Sequence, residues 1–383
     1  MIHDAMRKPV LAFLLLPLGA LAYACSGDDD GGGGGGGGTD ASVDVSNPTQ
    51  DSGGTNDSGF NFDSGGGDGG AKDGGDGGAR DGGDAGFPFP LLDAAVTPLV
   101  TATDPGDFSF LDGVTFFQNQ VVFSDVFGSR WSVATDGGNL VTQNLAGFTN
   151  PIGNAVNADA SALYTAFAGQ NAVVRNAASF STGPAGGFNQ PNDLVVRSDG
   201  LVFLSDPFTY ANQTNNGSVW SIPAAGGNPT VAQDFVNDDP NGIALSPDEK
   251  TLYVSVTNLH LIKKYTVAAN GTLSGAANFA DTTTGALPDG LAVDDAGNVY
   301  AAMGTCTGAC NPANPAFTGA KVFVYNSAGT KIGEIAVPKY PAVSLAFGNT
   351  DRKTLYIAAG NFNIAAANTP GIFQVRTAVP GKP

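Results

Sequence analysis

Short aliphatic and aromatic runs, separated by polar turns, recur through the second part of the chain. Six share one pattern: Gln120-Val-Val-Phe-Ser-Asp125, Ala162-Leu-Tyr-Thr-Ala-Phe167, Leu201-Val-Phe-Leu-Ser-Asp206, Thr251-Leu-Tyr-Val-Ser255, Asn298-Val-Tyr-Ala-Ala302 and Thr354-Leu-Tyr-Ile-Ala358. With Val122, Tyr164, Phe203, Tyr253, Tyr300 and Tyr356 taken as equivalent, successive separations are 42, 39, 50, 47 and 56 residues. Four-stranded propeller blades repeat every ~40 to 50 residues, so this spacing predicts six blades, with loops absorbing the scatter. Most runs follow a turn such as Arg197-Ser-Asp-Gly200 or Asp294-Asp-Ala-Gly297, and another apolar strand precedes each turn. No stretch keeps a helical period. The pattern predicts an all-β fold, a six-bladed β-propeller over residues 91–383.

The preceding residues read differently. Arg7 and Lys8 lead into an apolar run, Val10 to Ala24, with the form of an export signal and too short to span a bilayer comfortably. The run ends in Leu21-Ala22-Tyr23-Ala24-Cys25, which resembles a bacterial lipoprotein box. That implies lipidation of Cys25 and a membrane anchor, although Ala22 stands where such boxes usually carry Leu. A plain secretory signal cut near Ala24 is the alternative. Ser26 after the cysteine favours the outer membrane, at its periplasmic face or the cell surface. Residues 26–90 are largely Gly, Asp and Ser, too poor in apolar groups to offset the entropy of ordering, and are expected to form a disordered tether.

Charge follows the same division. Residues 26–90 hold thirteen Asp against Lys72 and Arg80, which leaves the remainder only mildly acidic within a net charge of -18. Nothing here suits nucleic acid, which calls for basic patches. The run Gly31 to Gly38 meets a dinucleotide glycine pattern only by being all glycine, and no P-loop occurs, so no nucleotide cofactor is expected. The Asp-Gly repeats between Asp73 and Gly86 lack the inward apolar residue that a calcium-binding β-roll needs.

Ten to thirteen residues ahead of each aligned position, a polar residue recurs before a small or acidic one and an aliphatic: Asp112-Gly-Val, Asn154-Ala-Val, Asn192-Asp-Leu, Asn241-Gly-Ile and Asp289-Gly-Leu, with Val343-Ser-Leu in the sixth repeat. The innermost strand of each blade lines the axis, so five polar residues are expected to meet there. Turn capping is the simpler account of any one of them. Their recurrence at one register favours a ring that needs a cation or solvent. Oxygen-only ligands suit hard ions, with Ca²⁺ favoured and Mg²⁺, Mn²⁺ or Zn²⁺ as alternatives.

At these residues the chain resembles the gluconolactonase, regucalcin and senescence marker protein family. Pro191-Asn-Asp-Leu-Val-Val-Arg-Ser-Asp-Gly200 with Ser205-Asp-Pro207 is similar to its third-blade segment. Pro240-Asn-Gly-Ile-Ala-Leu-Ser-Pro-Asp-Glu-Lys-Thr-Leu-Tyr253 is similar to its fourth-blade motif, and Pro288-Asp-Gly-Leu-Ala-Val-Asp-Asp-Ala-Gly-Asn-Val-Tyr300 to its fifth. The resemblance implies a metal held by Asp112, Asn241 and Asp289, with Asn192 beside it on a water or the substrate and Asn154 as a further substrate contact. It also implies hydrolysis of a sugar-acid lactone or similar small ester by metal-activated water, Asp289 relaying the proton. Asp193 and Asp206 are weaker candidates, suited equally to holding turn backbone. The chain departs from the family at Asp112, usually Glu, at Phe167-Ala-Gly169, at Val256, at Gln190 and at Val343-Ser344, so the metal set is nearly complete and the substrate-facing set eroded. A non-catalytic, surface-displayed binding module with a structural axial metal is the alternative.

Cys306 and Cys310 flank Thr-Gly-Ala, and an exported chain favours a disulfide between them. A metal site suits them less, because no second cysteine pair or nearby histidine completes it. A nucleophilic triad is excluded, since only His260 follows the leader and no Gly-x-Ser-x-Gly elbow occurs.

Overall fold

A computed structural model describes residues 95–101, 108–185, 187–207, 217–236, 238–282, 287–305, 320–338, 341–360 and 370–382. The expected leader and tether, with Cys25, and the pair Cys306 and Cys310, lie outside the described residues. Within them the chain forms β-strands and one short 3-10 turn, with no helix long and apolar enough to cross a membrane.

The strands make six four-stranded antiparallel sheets. The first blade contains Leu111–Phe117, Gln120–Asp125, Arg130–Ala134 and Val141–Thr142. The inner strands of the next five are Pro151–Val156, Leu194–Val196, Pro240–Leu245, Leu287–Val293 and Ala342–Gly348. Each inner strand packs beside the inner strand of the neighbouring blade, and the last returns to the first, closing a ring. The sixth blade is finished by a strand that precedes blade one: Thr97–Thr101 pairs antiparallel with Gly371–Arg376. One early strand thus ties the ends of the ring together.

The residues that announced the repeat explain why the blades stack. Val122, Tyr164, Phe203, Tyr253, Tyr300 and Tyr356 are all buried, and each lies on the second strand of its blade. Strand side chains alternate between faces, so a blade can press one face against each neighbour. Apolar clusters fill five of the six seams: between blades two and three, three and four, four and five, five and six, and six and one. Each large aliphatic or aromatic side chain taken out of water there contributes roughly 1.5–3 kcal/mol. The seam between blades one and two sets hydrogen-bonded polar side chains, Arg130, Thr165 and Asn154, among buried apolar ones such as Val122 and Phe167.

Segment 377–382 crosses outward from the sixth blade. Gly381 N donates to Arg352 O (2.7 Å), Asp295 N to Pro380 O (2.8 Å) and Lys382 N to Val293 O (2.9 Å). Lys382 Nζ reaches Glu249 of blade four at 2.9 Å. This strap links three blades.

Candidate active site

The inner strands share a local irregularity near their entry ends. Register slips between Asp112 and Thr115, Pro151 and Asn154, Pro240 and Ile243, Pro288 and Leu291, and Ala342 and Ser344. A proline begins the strand or its approach in five blades, at Pro151, Pro191, Pro240, Pro288 and Pro341, where the missing N–H costs the ladder least. The bulge that follows re-aims one residue per blade.

Pairing fixes which residues are equivalent. Thr115, Ala155, Val195, Ala244, Ala292 and Ala346 lie opposite the six repeat-marking residues of the second strands. Three positions before each stand Asp112, Ile152, Asn192, Asn241, Asp289 and Val343. The expected fifth polar member, Asn154, is therefore corrected: its register position belongs to Ile152, and Asn154 lies two residues further on. The turn of blade two is longer than the Gln118-Asn119 turn of blade one, which disguised the shift. Four polar residues remain on the ring, and Ile152 and Val343 flank Asp112.

Backbone contacts show the close fit of neighbouring strands at this level. A Cβ on Gly113 would lie 1.9 Å from Ile152 O, and one on Gly242 2.1 Å from Asp289 O. Hydrogen bonds then cross four further points of the ring. Val114 N donates to Ser344 Oγ (3.1 Å), Gly153 N to Asn192 O (2.9 Å), Ile243 N to Asp193 Oδ2 (3.1 Å) and Ser255 Oγ to Asp289 O (2.7 Å). These bonds hold the ring residues on a shared frame.

Three carboxylates respond to one another across it. Burial raises Asp112 from 3.8 to about 6, against the lowering effect of the Gly113 N–H that donates to its Oδ1 at 2.6 Å. Burial raises Asp193 to about 7, and the charge of Asp112 adds to it. Asp289 is raised well above 3.8 by burial, then by the charges of Asp112 and Asp193, while a hydrogen bond with the Asn241 side chain works the other way. Asp112, Asn241 and Asp289 are thus brought together, as the sequence suggested. Gly304 leaves room for them, since a Cβ there would lie 2.7 Å from Asp289 Oδ2.

Asp193 is the residue that sequence reasoning undervalued. It does bind turn backbone, accepting from Leu194 N (2.9 Å) and Ile243 N (3.1 Å), but it also belongs to the charged group. Its signal was the acidic residue placed directly after Asn192. Asp206 stands outside that group, accepting from Asn189 N, Gln190 N and the Trp220 side chain Nε1. Among the described residues the Asn192 side-chain amide takes no hydrogen-bond partner, while its backbone N–H donates to Ser205 O (2.9 Å). His260 closes the short turn Thr257–Leu259, and its Nδ1 is buried without a partner among the described residues.

The donor chemistry fits a hard cation. The carboxylates raise one another's pKa, and no basic side chain figures among the groups that act on them. Among the described residues, no three His, Cys, Asp or Glu side chains suffice for a metal site by themselves. An ion here would need amide oxygen as well, which Asn241 and Asn192 can supply.

A six-bladed propeller with acids and amides on its inner ring belongs to a recognisable class, the propellers with an axial site. Residues 111–361 match the SMP-30/Gluconolactonase/LRE-like region, and the chain belongs to that family. A pentonolactonase of Haloferax volcanii is 26% identical over 204 residues, 50% of this chain and 64% of its own length. A gluconolactonase of Zymomonas mobilis is 27% identical over 198 residues, 48% of this chain and 51% of its own. The chain therefore spans less than two thirds of these relatives. Among solved structures, a gluconolactonase from Xanthomonas campestris superposes with a TM-score of 0.59 at 26% identity, covering 75% of this chain and 91% of that one. A calcium-binding regucalcin from Agrobacterium tumefaciens has a TM-score of 0.59 at 18% identity, covering 77% and 96%, a likeness of fold.

Proposed function

We propose that this protein hydrolyses the ring ester of a sugar-acid lactone at the entry end of its inner ring, with a divalent cation held by Asp112, Asn241 and Asp289. The observation that carries the reading is the grouping of these side chains, from blades one, four and five, in a chain whose relatives include lactonases. When bound, the cation would supply the charge that polarises the lactone carbonyl and acidifies water. Calcium is favoured because the donors are all oxygen.

The chain's own groups would do the rest. Asp289, whose carboxyl burial and its acidic neighbours raise well above the ordinary value, accepts a proton from the water that attacks the carbonyl carbon. It returns that proton to the ring oxygen as the carbon–oxygen bond breaks, giving the open hydroxy acid. Asn192, whose amide has no described partner, offers the substrate a hydrogen bond. Ile152 and Val343 present apolar surface on either side of Asp112.

Hydrolysis of glucono-δ-lactone, followed by proton release in weak buffer with Ca²⁺ or Mn²⁺ added, tests the reading. Asp289→Asn is expected to lower the catalysed rate by about 10² or more. Equal turnover by wild type and variant, or none by either, would sink the assignment and leave a ring that only binds.

A further inference from the structure

Within the seam between blades one and two, beside buried apolar side chains such as Val122 and Phe167, lies a chain of buried polar groups running from Arg130 through Thr165 to Asn154. We infer that Asn154, oriented by Thr165 and Arg130, is a positioning residue for Asp112. The inference rests on the proposed role of Asp112 as a cation ligand.

The geometry grips Asp112 from two sides. The bulge between Asp112 and Thr115 takes the intervening backbone out of the ladder, and Gly113 stands there at φ +54°. Asn154 Nδ2 donates to the freed Gly113 carbonyl at 2.7 Å. The same nitrogen donates to Ser124 Oγ at 2.8 Å, and Ser124 is the cross-strand partner of Asp112. Gly113 N, on the other side of that residue, holds Asp112 Oδ1 at 2.6 Å. One amide thus fixes both the bulge that follows the carboxylate and the residue facing it.

What lies behind Asn154 gives the network its direction. Arg130 is a donor only, and its Nη1 donates to Thr165 Oγ1 at 2.8 Å. The hydroxyl's single proton is then free to go forward, to Asn154 Oδ1 at 2.6 Å. With its oxygen committed, the amide must present its nitrogen to Gly113 O and Ser124 Oγ. A flipped amide would set oxygen against oxygen. Arg130 is 9% exposed and, among the described residues, has no carboxylate within ion-pair distance. Gln143 Oε1 accepts from its Nε at 3.2 Å. A buried guanidinium without a counter-charge is costly, and a fully bonded polar network specifies one arrangement where an apolar one would tolerate several.

The test measures Ca²⁺ affinity of the metal-free, folded protein by calorimetry, beside its melting temperature with and without Ca²⁺. Thr165→Val removes the relay hydroxyl at nearly constant shape, and Thr165→Ser keeps it. Valine is expected to weaken Ca²⁺ binding about tenfold, the usual scale for losing an outer-shell partner, and to shrink the Ca²⁺-induced rise in melting temperature. Serine is expected to restore both. A merely structural hydroxyl would lower melting equally in either state and leave affinity unchanged, which would overturn the inference. Should the valine variant fail to fold, Ser124→Ala removes one acceptor of the same amide, and wild-type affinity there would overturn it too. Asp112→Asn separates the two levels: if it binds Ca²⁺ like the wild type, the ligand assignment of Asp112 falls and the inference goes with it. If Asp112→Asn has lost binding while Thr165→Val has not, only the positioning role falls.

Discussion

Asp112, Asp193 and Asp289 hold their protons to higher pH when folded than they would in an unfolded chain. Burial is the first cause in each, and for Asp193 and Asp289 the charge of Asp112 is the second. Between the ordinary 3.8 and the folded values, about 6 for Asp112 and about 7 for Asp193, the folded protein therefore binds more protons than the unfolded one. Stability of the metal-free protein is expected to be fullest below about pH 4, as far as these groups set it, and to fall as pH rises through 6 and 7. A saturating divalent cation should flatten that slope, since it binds the deprotonated site. Thermal melts between pH 5 and 8, with chelator and with Ca²⁺, check this, and a chelated protein that gains stability across the range would refute it. The polar identity of Asp112, Asn241 and Asp289 was legible in the sequence because each opens a motif of similar form. The part played by Asp193 was not, because a carboxylate that binds backbone and one that faces other charges look alike until the blades are assembled.

At the level of the strand, the recurring device is a bulge just after the entry, and its price falls on the backbone. Gly113 meets this most sharply, with φ +54° and no room for a Cβ beside Ile152 O. Gly113→Ala is expected to destabilise the fold by about 3 kcal/mol or more, combining backbone strain with a clash. Gly297 has φ +81° but only an ordinary contact, 3.6 Å to Ser327 Cβ, so Gly297→Ala should cost roughly 1 kcal/mol. Denaturant unfolding of the pair separates the two contributions, and equal losses would show that the close approach at Gly113 relaxes. The same bulge explains where strand-level reading failed. Counting back from Tyr164 by the ten residues that suit blade one reaches Asn154, whereas the ladder puts Ile152 at the register position of the other ring residues. Turn length varies between blades at little cost, while side-chain alternation does not, so spacing alone could not fix the register.

For the whole molecule, closure is the event that makes separate blades one ring. Thr97–Thr101 completes the sixth sheet, and its removal would expose the edge of Gly371–Arg376. Deleting residues 97–101 is expected to lower the melting temperature markedly and to promote aggregation, whereas Lys382→Ala, which cuts the link to Glu249, should cost only about 1 kcal/mol. Calorimetry and light scattering compare them, and a truncated protein that melts like the wild type would show that the ring closes without this strand. The sequence by itself determined the number of blades and the residues that fill their seams, because strand alternation and turn chemistry act over a few neighbours and repeat. It also determined four of the polar groups on the ring. Only the tertiary structure decided that Ile152 takes the place expected of Asn154, that Asp193 joins the charged group, and that one seam carries a buried polar network. Those outcomes depend on which side chains face each other across different blades, and residues 30 or more apart along the chain carry no local sign of that meeting.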